Sequence, residues 1–177
     1  ALTGLPGYDF FLEKLTQAGG PATGSVKSAL EAGPLATSSK KTINGVEYYI
    51  WNHTGSDLSL DISKPGWNTI GTSKVIILSS GNITFSDTGG TPTNISVNSA
   101  GGGFLLVVAE GNITFSNSVG KNVSDSSTLK NNIAPVVTGM FISDGNLIIA
   151  GDGNDNSADR QFVGKGVFAG LTDLQMN

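Results

Sequence analysis

Hydrophobic positions along this chain fall into a pattern that recurs. Val75-Ile76-Ile77-Leu78-Ser79-Ser80-Gly81-Asn82-Ile83-Thr84-Phe85-Ser86 returns as Leu105-Leu106-Val107-Val108-Ala109-Glu110-Gly111-Asn112-Ile113-Thr114-Phe115-Ser116. A looser copy follows as Gly139-Met140-Phe141-Ile142-Ser143-Asp144-Gly145-Asn146-Leu147-Ile148-Ile149-Ala150. Each copy opens on an apolar run, breaks at Gly-Asn, and resumes as an alternation. In that alternation Ile83 and Phe85 point one way, and Asn82, Thr84 and Ser86 the other. Leu58, Leu60 and Ile62 alternate in the same manner. Aligned on these breaks, the starts of successive units fall at residues 49, 75, 105, 139 and 166, with spacings of 26, 30, 34 and 27 residues. Unequal loops between strands that keep register are the mark of a solenoid, in which one unit is stacked on itself.

Three short strands are expected in each unit: the apolar run, the alternating run, and a third at Asn94–Val97, Pro135–Val137 and Gln161–Val163. Gly-Asn serves as a corner, since both residues tolerate the left-handed backbone of a sharp bend. Asn82, Asn112 and Asn146 either form a ladder of side-chain amides at that corner or simply suit its backbone. Ile83, Ile113 and Leu147 make one buried column, and Phe85, Phe115 and Ile149 another. The fold class is therefore all-β: a short single-stranded parallel β-helix of about five turns, with a small helical N-terminal segment.

That segment, residues 1–45, departs from the pattern of 46–177. Asp9 caps a helix with Tyr8, Phe11, Leu15 and Ala18 on one face and Gly19-Gly20 at its end. Ser25 caps a second helix, Val26–Ala32, ended by Gly33-Pro34. A solenoid has open ends that need covering. The segment either covers the end of its own chain or docks on the open end of a neighbour and so builds a polymer.

Composition narrows the function. Charged residues are 14% of the chain, its net charge is −4, and no basic stripe tracks a phosphate backbone, so nucleic acid is not expected as a partner. There is no Cys, which removes disulfides and thiolate metal sites, and no apolar run long enough to span a membrane. Ala1 reads as the start of a mature chain after removal of a leader, and the Asn, Gly, Ser and Thr content points to an extracellular or cell-surface location.

Candidate chemistry is sparse. The single His, His53, is read as a surface or stacking residue. Asp152, Asn154 and Asn156 reproduce the first ligand positions of a calcium loop, but Ser157 and Val163 stand where an EF-hand needs Gly and Glu. Calcium in another geometry is the single cofactor these residues suggest, and a solvated turn is the favoured reading. Glu110 and Asp144 occupy adjacent positions of successive units, the nearest approach to a pair of glycosidase carboxylates. Asn-X-Ser/Thr occurs at Asn52, Asn82, Asn94, Asn112 and Asn122, which are candidate glycosylation sites.

With Gly103-Phe104-Leu105-Leu106-Val107-Val108, the Gly-Asn-Ile-Thr-Phe units, and Gln161-Phe162-Val163-Gly164-Lys165-Gly166-Val167-Phe168-Ala169-Gly170, residues 46–170 resemble β-solenoid segments of large surface proteins of candidate-phyla bacteria. The resemblance implies a fold and a surface location and no active site. Type IV pilins are not resembled, because their long apolar N-terminal helix is lacking. The expected function is a non-enzymatic extracellular structural protein, a self-assembling filament or pilus-like fibre subunit whose partner is itself. Its expected contacts are Tyr8, Phe10, Phe11, Leu12 and Leu15 at one end and Phe168, Leu171 and Leu174 at the other. The alternative is an adhesin that stacks cell-surface glycans on exposed Trp51 and Trp67, with Tyr48 and Tyr49 beside them. A polysaccharide-degrading enzyme is the third reading.

Overall fold

The computed structural model describes residues 6–20, 26–32, 35, 40–91, 93–121, 134–151 and 160–176. Two helices, α1 (Tyr8–Gln17) and α2 (Val26–Ala32), precede eleven strands. These are β1 (Lys40–Ile43), β2 (Val46–His53), β3 (Leu58–Asp61), β4 (Lys74–Ser79), β5 (Ile83–Ser86) and β6 (Phe104–Ala109). The series continues with β7 (Ile113–Phe115), β8 (Val137–Ser143), β9 (Asn146–Ile149), β10 (Gly164–Gly170) and β11 (Asp173–Met176).

From β2 on, even and odd strands separate into two sheets, and β1 joins the even one: β1-β2-β4-β6-β8-β10 and β11-β9-β7-β5-β3. All neighbours are parallel except the β1–β2 hairpin. This is a parallel β-solenoid. The register Tyr49↔Val75↔Leu105, with Leu106↔Met140↔Val167 beyond it, matches the spacings read from the sequence. The expected five turns resolve into about four complete ones, since the fifth coil contains β10 and β11 alone. The third strands reduce to single bridges, Gly71↔Val97 and Ile95↔Val137, and to hydrogen bonds such as Val136 N to Val163 O (2.8 Å).

Stacking of like on like builds the interior. Leu58, Ile83, Ile113, Leu147 and Leu174 form one column, and Leu60, Phe85, Phe115, Ile149 and Met176 the next. Facing them, Trp51, Ile77, Val107, Phe141 and Phe168 stack along the other sheet. The aromatic rings stack along each sheet, with Phe85–Phe115 centroids 5.0 Å apart and Phe141–Phe168 5.2 Å apart, and meet edge-to-face across the core, Phe115–Phe141 at 5.1 Å.

The apolar runs of β4 and β6 are buried on both faces, which explains why they do not alternate. Their outward side chains, Ile76, Leu78, Leu106 and Val108, lie beneath α1 in a second cluster with Ile50, Ile142, Tyr8 and Leu15. The two N-terminal helices thus have different tasks. α2 covers the open first coil: Val26, Leu30 and Leu35 join the main core, and a Cβ on Gly66 would run into the Leu30 carbonyl. α1 instead lies along the side of the solenoid. α2 and Leu35 therefore pack into the main core, and β1 pairs with β2 of the first coil.

Candidate functional site

The corner after the apolar run carries the structure's most regular polar feature. Asn112 N donates to Asn82 Oδ1 and Asn146 N to Asn112 Oδ1, each at 2.8 Å. One coil earlier Asp57 Oδ1 accepts both Asn82 N and Asn82 Nδ2 at 3.0 Å, which holds the Asp57 carboxyl below the usual carboxylate range. The ladder links side chain to backbone, coil by coil, rather than amide to amide. It ends at Asn146, whose Oδ1 is buried without a partner among the described residues.

The corner glycines are explained by space, not by backbone angle. Gly81, Gly111 and Gly145 are absent from the positive-φ positions, which corrects the expected left-handed corner. A Cβ on Gly111 would stand 2.6 Å from Asn82 Oδ1, and one on Gly81 2.7 Å from the Ser56 carbonyl. Each glycine makes room for the Asn or backbone of the coil before it.

This geometry sorts the sequons. Asn82 and Asn112 spend their side chains in the ladder, and Asn52 Oδ1 accepts the Tyr8 hydroxyl at 2.9 Å. Asn94 is exposed, and Asn122 lies outside the described residues. The calcium-loop residues Asp152, Asn154 and Asn156 also lie outside them. Of the two acids at adjacent positions of successive units, Glu110 is exposed and Asp144 is engaged with α1.

The glycan platform is corrected outright. Trp51 and Trp67 are 1% and 0% exposed, so neither offers a face to a sugar. Trp51 occupies an inward position of β2 and stacks on Tyr49 at 6.0 Å, while Trp67 closes the first coil against Phe85 at 5.8 Å. Trp51 reads as part of a surface platform only while the inward parity of β2 goes unnoticed. His53 Nε2 lies 3.2 Å from Ser56 Oγ at the edge of the first corner.

The N-terminal contact residues are also placed differently from expectation. Tyr8 and Leu15 are buried on the side of the solenoid, Phe11 and Leu12 are partly buried beside them, and only Phe10 is exposed (46%). They face an apolar sheet within their own chain, so they are not free at an end. Both oxygens of Asp144 accept the Tyr8 N–H (3.2 and 3.1 Å), capping α1 from the fourth coil in place of the expected Asp9 cap. Burial pushes the Asp144 carboxyl up; the Tyr8 N–H opposes this, and nearby Asp9 adds to it.

Of the residues expected as contacts at the other end, Leu174 alone is exposed. β10 and β11 are the edges of both sheets, with one side of each strand unpaired. Val167 (44%), Leu174 (46%) and Met176 (76%) all belong to this coil, and with Phe10 they are the exposed large hydrophobics among the described residues. Phe168 is partly covered by Phe141 and Phe162, and Leu171 is half-buried. Among the described residues no helix is long and apolar enough to cross a membrane. No family model, curated protein or solved structure matches the chain.

Proposed function

We propose that this chain is a non-enzymatic structural protein of the cell exterior that assembles with copies of itself, and that its last coil is part of the join. The observation that carries this reading is the inequality of the two ends. The first coil is covered by α2 and edged by the charged β1 hairpin, where Lys40 pairs with Glu47 at 2.7 Å. The last coil leaves two strand edges and three large apolar side chains in solvent. Exposed edges of this kind template pairing with another chain. The repeated residues support a structural role, because they are occupied with holding coil to coil. Low charge and the sequon at exposed Asn94 support the extracellular placement.

The test is Leu174→Lys/Met176→Lys, which adds charge where both side chains are already exposed. Its thermal unfolding is expected to match the parent chain, while fibres or oligomers seen by negative-stain microscopy disappear. Undiminished assembly by the variant would contradict the reading.

A further inference from the structure

The helix that covers the side of the solenoid has the makings of an exchangeable arm. It meets the body through one amphipathic face, with Tyr8 and Leu15 buried over Ile50, Ile76, Leu78, Leu106 and Val108. Two polar anchors fix its first turn: Asp144 on the Tyr8 N–H, and Asn52 on the Tyr8 hydroxyl. Toward its other end, Lys14, Gln17 and Ala18 line a surface crevice of about 510 Å³ together with Thr42, Ile43 and Asn44. The helix closes on Gly19 and Gly20, both at positive φ (108° and 73°). Eight residues, 18–25, join it to α2, and extended they reach up to ~28 Å. No exposed strand of the solenoid depends on α1 for its pairing, since α1 bonds to side chains and covers a face.

We infer that α1 is exchanged between copies: in the assembled protein the Tyr8–Leu15 face seats on the sheet of a neighbour, capped by the neighbour's Asp144. The occupant of this face is defined by the chain itself, since the same ten residues already cover it in cis. Exchange keeps every contact and makes the connection intermolecular, so its cost lies in association rather than in new chemistry. This inference rests on the self-assembly proposed above and supplies its second contact.

The chain has no Cys, so a designed disulfide can report on the arm. A Cβ at Gly7 would lie 2.7 Å from Asp144 Cγ, which brings the Cβ atoms of residues 7 and 144 close to the ~3.5–4.5 Å a disulfide needs. Assembled Gly7→Cys/Asp144→Cys, oxidised and run on a denaturing gel without reductant, is expected to give covalent dimers and longer ladders. A monomer band alone from assembled protein overturns the exchange while leaving self-assembly standing. A parent chain that sediments as an 18.1 kDa monomer at every concentration overturns both. Should the cysteine pair not fold, deleting residues 21–25 gives a second reading. The shortened connector disfavours docking in cis, so the assembled fraction should rise several-fold, and no rise overturns the exchange.

Discussion

Asn112 holds two coils at once, accepting from Asn146 N and donating its own N–H to Asn82. Asn112→Ala leaves Asn146 N without its acceptor at a half-buried corner, a loss of ~1–3 kcal/mol, to be measured by chemical denaturation. Gly111→Ala should do comparable damage by a different route, pushing a methyl into Asn82 Oδ1. Asp61 tests the polar side of the same coils through pH. Its partial burial pushes the carboxyl up, but bonds from Thr88 and Ser63 outweigh this and hold it well below its usual range. A carboxyl lowered in the folded state stabilises above its unfolded value near ~4 and loses that contribution as pH falls. The melting-temperature gap between the parent chain and Asp61→Asn should therefore be widest near neutral pH and narrow steadily from about pH 4 to pH 2. A gap constant across that range would refute the assignment.

Among elements, the latch between the loop after β5 and the strand end before β10 is the clearest case of a buried ion pair. Arg160 Nη1 meets Asp87 Oδ2 at 2.6 Å, and the Asp87 side chain is fully buried, accepting also from Gly89 N and Thr93 N. Removing one partner strands the other, so Arg160→Ala should cost ~3–5 kcal/mol. Asp87→Ala/Arg160→Ala should cost much less than the sum of the single changes, which a double-mutant cycle checks. Sequence spacing could not reveal this pair, 73 residues apart and outside the repeat. What spacing did reveal is the register of the parallel pairs in the sheet of β2, β4, β6, β8 and β10, from Tyr49 to Gly166, because each coil repeats the same inward positions. The glycine corners were legible as corners but not in their cause, since the clash that requires glycine comes from the neighbouring coil. The seat of α1 was likewise hidden. Its amphipathic pattern shows that one face is covered, and the unbroken apolar runs of β4 and β6 show that a second layer exists. Neither pattern says that they meet.

At the scale of the molecule, the solenoid is a shaft with one closed end, one covered side and one open coil. The candidate surfaces lie where the repeat is incomplete, at β10 and β11 and under α1. The two tryptophans were misplaced for the same reason that the columns were found. Both are inward positions, and only the alignment of β2 with β4 shows it for Trp51. Trp51→Ala should thus act on stability, at ~3–5 kcal/mol by denaturant titration, and not on sugar binding.

Self-assembly of the 177-residue chain is the central claim, and sedimentation velocity over a hundredfold range of concentration tests it most directly. The account predicts species well above 18.1 kDa that grow with concentration and are lost in Leu174→Lys/Met176→Lys. A single monomeric boundary at every concentration would contradict it.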